Sequence, residues 1–186
     1  MNSHDSRKDT EGLHADRPGA ISTWSGGYID PLDPNPLDIN LADVAHALAR
    51  LCRYNGHVEG FLSVARHSIW VSERVWSETG DTTLALSGLL HDGAEAYLSD
   101  VPRPVKRQLA EFQAYDAAMD EAVMRAFGLP FPIPAEVMDA DRHVLLNVEL
   151  PSPAGARHTW NSHPAEDERD FLKRYSDLRQ RAGVLR

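Results

Sequence analysis

The sequence predicts an all-α protein, on three observations. Apolar residues recur at helical spacing in six successive stretches between about residues 41 and 182. Gly or Pro stands beside most of the breaks between those stretches. No series of alternating apolar and polar residues reads as paired strands. A length of 186 residues suits one compact domain. A domain of that size buries roughly 70% of the surface its unfolded chain exposes, so it folds without staples.

Residues 1–20 are charged and aperiodic, which predicts a disordered tail ahead of a single domain over 21–186. The segment "ISTWSGGYIDPLDPNPLDIN" is broken by Gly26, Gly27, Pro31, Pro34 and Pro36 and reads as irregular chain, with room for a short hairpin at Gly26-Gly27. Asn40 or Asp38 caps a first helix that carries Leu41, Val44, Ala45, Leu48 and Leu51 on one face. "RYNGHVEG" interrupts it. A second periodic stretch runs from Phe61 towards Gly80. Asp81 or Thr82 caps a third, "TLALSGLLHDGAEAYL", which stops before Pro102. A long fourth helix, "VKRQLAEFQAYDAAMDEAVMRAFG", ends at Gly128 with Pro130 beyond. Pro134 opens a fifth, "AEVMDADRHVLLNVEL". "SPAGARHTWNSH" reads as loop, and Pro164 opens a last helix.

Charge narrows the function. Nineteen Lys+Arg against 28 Asp+Glu give −9, which argues against a nucleic-acid polymer as partner. A small anionic substrate stays open, because a metal or a few clustered cations reverse the local potential. No run approaches 18 apolar residues and the N-terminus has no apolar core, so neither a membrane span nor a secretory leader is expected. The one cysteine, Cys52, forms no disulfide within the chain and reads as a small apolar side chain. These features together predict a cytoplasmic location.

The most informative segment is "LLHDGAEAYLSDVPRPVKR". His91 and Asp92 follow an apolar run, where adjacent polar groups are costly unless paired or metal-bound. Glu95 lies four residues after His91, which on a continuous helix places both on one face. His67 sits within the apolar helix "FLSVARHSIWV", and Asp141 precedes Val144, Leu145 and Leu146 in another. Together His67, His91, Asp92 and Asp141 make a two-nitrogen, two-oxygen set from three helices. Such a set suits one divalent ion of the Zn, Mn, Co or Fe type.

The order His, His-Asp, Asp resembles the HD-domain metal-dependent phosphohydrolases. "HDGAEAYLSDVPRPVK" is similar in particular to the small HD-domain 5′-deoxynucleotidases, matching at His91, Asp92, Glu95, Asp100, Pro102, Pro104 and Lys106. The likeness covers about residues 23–178 and extends to phage-type deoxynucleoside triphosphohydrolases. It implies a helical HD bundle in which His67, His91, Asp92 and Asp141 hold the ion. Asp139 is the alternative to Asp141. Glu95 would orient or deprotonate the attacking water, and Asp100 would contact the sugar or that water unless it merely caps a helix. The resemblance further implies a small nucleotide substrate and a homo-oligomer.

Phosphate also needs cations. Arg53 leads, and the Arg53-Tyr54 pair stands near where the relatives carry Arg-Trp, so Tyr54 takes the base-contact position. His57 and Lys106 complete the expected substrate contacts, with Arg103 and Arg107 behind Lys106. Trp70 and Trp76 read as core. His143 reads as surface, and Glu149 and Trp160 as shaping the pocket. His4, His14, His158 and His163 lie in loops or the tail.

Overall fold

The computed structural model describes residues 19–149 and 159–183, and its fold is mostly helical. Residues 1–18 of the tail expected over 1–20, with His4 and His14, and His158 lie outside those residues. A two-stranded antiparallel hairpin comes first, β1 (Ile21–Ser22) with β2 (Tyr28–Ile29), turning through Thr23–Gly27 as the Gly-Gly pair suggested. A single 3-10 turn at Pro36–Asp38 leads to α1 (Leu41–Leu48), where the Asn40 side chain accepts from the Asp43 amide. A second 3-10 segment, Arg53–Gly56, precedes β3 (Glu59–Phe61).

α2 (Val64–Thr79) is the central helix. Ser63 caps it by accepting from the Arg66 amide, and Gly80 ends it in the left-handed conformation, φ 63°. α3 (Thr82–Leu90), capped by Asp81, is buried from Ala85 to Leu90, so no polar stripe remains on that half. α2 packs on α3, and close approach is possible because Gly88 sits over Ser72: a Cβ at 88 would stand 3.3 Å from Ser72 Cα.

Two expected helices prove to be broken. The third stretch leaves α3 at Leu90, turns through His91–Ala94, and restarts as α4 (Glu95–Leu98). The fourth divides into α5 (Arg103–Lys106) and α6 (Ala110–Ala126), and the Gln113 side chain donates to the Lys106 carbonyl left open at the break. α7 (Ala135–Val144) widens into a π-type turn at Leu145–Glu149. β4 (Thr159–Asn161) pairs in parallel with β3 inside a segment that reads as loop, and α8 (Pro164–Arg181) closes the bundle.

The core lies where α2 meets α3, α7 and α8 and where α1 meets α8. Leu48, Leu86, Leu89, Leu90, Met119, Met124, Phe171 and Leu178 are buried in it. Each contributes about 1.5–3 kcal/mol by leaving water. Trp70 and Trp76 pack against this core as expected, while Cys52 is only half-buried. None of the helices formed by the described residues is long and apolar enough to cross a membrane.

Candidate metal centre

Three helices carry their polar side chains inward to one point. His67 comes from the middle of α2, where the 3.6-residue repeat buries it with Val64, Ala65 and Val71. His91 and Asp92 come from the turn that ends α3. That turn requires Gly93: a Cβ there would stand 2.7 Å from Val123 Cγ1 and 2.9 Å from the Leu90 carbonyl. Asp141 comes from the buried face of α7, whereas Asp139 is exposed, which decides between the two aspartates.

One donor atom each from His67, His91 and Asp141 lies within 4.8 Å of the other two. His67 Nε2 is 3.3 Å from His91 Nε2 and 3.2 Å from Asp141 Oδ1. Asp92 joins them, with Oδ2 3.4 Å from His67 Nε2 and Oδ1 3.2 Å from His91 Nε2.

The tautomers follow from the far side of each ring. His91 Nδ1 is 2.9 Å from the Gly88 carbonyl, which only accepts, so that nitrogen donates. His67 Nδ1 donates to Glu149 Oε1 at 2.6 Å. In neutral rings both Nε2 atoms therefore carry bare lone pairs directed at each other and at two carboxylates. Four acceptors that close together repel unless a cation sits among them. The donor set fits a borderline divalent ion, which two imidazoles and two aspartates would hold.

The electrostatics agree with that sign. Burial and the Arg53 charge both oppose a proton on His67, yet its bonds to Asp141 and Glu149 and the charge of Asp92 raise its pKa. Burial lowers His91. Burial also opposes ionisation of Asp141, but His67, His91 and Arg103 outweigh it and hold the carboxyl well below the usual range. Arg103 Nη2 donates to Asp141 Oδ2 at 2.7 Å, leaving Oδ1 for the histidines.

Beside these residues opens a cavity of about 570 Å³. Its polar lining includes His91, Asp92, Glu95, Asp100, Asp120 and Asp141, and its apolar lining includes Val101, Pro102, Pro104, Ile133, Met138 and Leu145. Glu95 Oε2 is buried and has no hydrogen-bond partner. Burial first, then the charges of Asp92 and Asp100, push the Glu95 carboxyl well above the ordinary carboxylate range. Burial and Asp92 raise Asp100 as well, against the lowering by Arg53. Asp100 is not a cap: α5 takes Pro102 at its N-cap and has no side-chain cap bond.

The continuous helix expected over His91 and Glu95 does not exist, because the chain turns at 91–94. Both side chains reach the same cavity by that turn instead.

The four expected substrate contacts divide. Arg53 lines the cavity, but its Nε donates to Glu149 Oε2 at 3.0 Å and its Nη1 lies 3.6 Å from Asp92. Tyr54 lines it too, and its hydroxyl donates to Glu149 Oε2 at 2.6 Å. Lys106 lines it while bonding both oxygens of Asp116 at 2.9 Å. His57 is exposed and outside the cavity wall, because the 3-10 segment turns it outward.

Three participants escaped the sequence. Glu149 was placed only as shaping the pocket, yet its carboxylate, held at about 2 against the opposing effect of burial, organises His67, Arg53 and Tyr54. A lone acid in the apolar run "VLLNVEL" was the available signal. Arg103 was expected only as a phosphate contact behind Lys106, not as the partner of Asp141, and Asp120 carried no signal beyond an ordinary helix charge. His143 stays at the surface with Asn147, and Trp160 packs on Trp70 away from the cavity.

No family model matches the chain. It is 35% identical over 123 residues to "Uncharacterized protein YfdR" of Escherichia coli strain K12. It is 39% identical over 122 residues to "Uncharacterized protein RCAP_rcc00048" of Rhodobacter capsulatus. The matches cover 65% and 62% of this chain, and the chain spans 65% and 62% of the lengths of those two relatives.

Proposed function

We propose that the chain is a divalent-metal-dependent phosphohydrolase of the HD type that releases phosphate from deoxynucleoside monophosphates in the cytoplasm. One observation carries this: Glu95, whose Oε2 is buried without a hydrogen-bond partner, shares a cavity with a cluster of two imidazoles and two aspartates. A binding module with a stabilising metal has no use for Glu95, whose unpaired burial costs stability.

A bound divalent ion would lower the pKa of a water and polarise the phosphoryl group. Glu95 takes the proton from the attacking water through its free Oε2. Asp100, in the same lining, hydrogen-bonds the sugar. The apolar lining from Val101 to Leu145 excludes water and takes the base.

The cations favour one phosphate over three. Four cations line the cavity against five carboxyl groups. Arg53 is committed to Glu149, Arg103 to Asp141 and Lys106 to Asp116. Among the described residues lining the cavity, Arg107 alone has no carboxylate partner, and together with the Arg53 donors that Glu149 does not take it offers too little for a tetra-anionic triphosphate.

The test is a panel of deoxynucleoside mono- and triphosphates incubated with chelated protein and added Mn²⁺, Co²⁺ or Zn²⁺, with products identified. Inorganic phosphate from monophosphates is expected. Tripolyphosphate from triphosphates would move the assignment to a triphosphohydrolase. Intact nucleotides with metal bound would end it.

A further inference from the structure

Glu149 divides its two oxygens between two halves of the cavity. Oε1 accepts from His67 Nδ1 at 2.6 Å. Oε2 accepts from Arg53 Nε at 3.0 Å and from the Tyr54 hydroxyl at 2.6 Å. The side chain is buried, so these bonds are not exchanged with water. The backbone bends to allow this. Tyr54 and Asn55 both occupy the left-handed region, at φ 57° and 50°, where non-glycine residues are strained. That strain brings consecutive side chains, Arg53 and Tyr54, onto one oxygen. Arg53 is anchored at the other end by its amide, which donates to the Leu62 carbonyl at 2.8 Å, just before the cap of α2.

We propose that Glu149 is a positioning residue that couples ion binding to phosphate binding. A single carboxylate sets the His67 ring for the ion and the Arg53 guanidinium for the substrate phosphate. The phosphate half rests on the function proposed above, while the ion half stands on the cluster alone. Tyr54 thereby changes role. Instead of contacting a base, it holds Glu149 against Arg53. Because the coupling is thermodynamic, it is reciprocal: what loosens one side weakens the other.

Titration calorimetry on the metal-free full chain tests this, first with Mn²⁺ alone and then with inorganic phosphate on the Mn²⁺-loaded protein. The proteins are wild type, Tyr54→Phe, Glu149→Gln and the double variant. Glu149→Gln should weaken Mn²⁺ binding about 10- to 100-fold, as loss of a partner behind a ligating histidine does. Tyr54→Phe should weaken both Mn²⁺ and phosphate, although its phenol reaches neither the cluster nor an open donor of Arg53. The double variant should be no weaker than Glu149→Gln, because Tyr54 acts through Glu149. Wild-type Mn²⁺ affinity in Tyr54→Phe overturns the proposal, as do losses that add in the double variant. Unchanged phosphate affinity in both single variants overturns the coupling. None of these measurements needs turnover, so a failed nucleotide assay does not decide them.

Discussion

His67 Nε2 and His91 Nε2 face each other at 3.3 Å while the Nδ1 of each ring is bonded elsewhere, to Glu149 and to the Gly88 carbonyl. Two lone pairs so placed, with Asp92 and Asp141 beside them, make a site that a dication relieves. Thermal melts with and without chelator should therefore separate. At a free metal concentration of 100 times Kd, the gain is about 2.7 kcal/mol. Asp141→Ala should abolish that gain. A full metal shift in Asp141→Ala, or none in the wild type, counts against the site.

Glu95 is the residue whose removal should cost activity and nothing else. Gln keeps its shape and cannot ionise where burial already disfavours the charged carboxylate. Glu95→Gln should bind metal as before and melt at or above the wild-type temperature. Its turnover should fall about 10²- to 10⁴-fold, the range for loss of a general base. Unchanged turnover would remove Glu95 from the mechanism.

The pH profile follows from the same carboxyl. Burial, Asp92 and Asp100 raise the Glu95 pKa. A general base acts ionised, so kcat/KM should fall as pH drops through that raised value. The acid limb should sit above the ordinary carboxylate range. A bound dication favours the ionised form and draws the limb lower, so the limb should move with the metal used. A limb that persists unshifted in Glu95→Gln would belong to another group.

Asp120 links pH to stability rather than to turnover. Burial, then Asp116 and Asp92, raise its carboxyl from 3.8 to about 7, against the lowering by Lys106. The folded protein therefore holds a proton there that the unfolded chain releases near 3.8. The stability so conferred is complete below that value and is lost as pH climbs to about 7. Asp120→Asn should be neutral at pH 4 and stabilising at pH 8, by about 1 kcal/mol once solvent screening is allowed for. Chemical denaturation at the two pH values checks it, and equal effects at both refute it.

Gly93→Ala and Gly88→Ala form a matched pair. The first drives a Cβ to 2.7 Å from Val123 Cγ1 and 2.9 Å from the Leu90 carbonyl, and backbone cannot swing aside. It should cost about 1–3 kcal/mol and weaken metal binding, because the same turn aims His91 and Asp92. Gly88→Ala meets Ser72 Cα only at 3.3 Å and should be milder, with metal affinity kept. Calorimetry on both variants distinguishes a site effect from a general loss of packing.

Periodicity and caps determined the helical class by themselves, because both act within a few residues. Asn40, Ser63, Asp81 and Gly80 do in the structure what local chemistry asks of them. The candidate ligand residues were legible for a related reason. His67, His91 and Asp141 are costly in apolar surroundings, so their presence there advertises a partner. What stayed hidden was set by contacts distant in sequence. The break at His91–Ala94 depends on Val123 behind Gly93, and β4 depends on Gly60, where a Cβ would meet the Trp160 carbonyl at 1.9 Å. Only packing brought Glu149 from a widened turn to Arg53, 96 residues away, and turned His57 outward. Residue types thus declared the chemistry, whereas tertiary structure decided which charges neutralise one another, since an ion pair depends on distance through space and not along the chain.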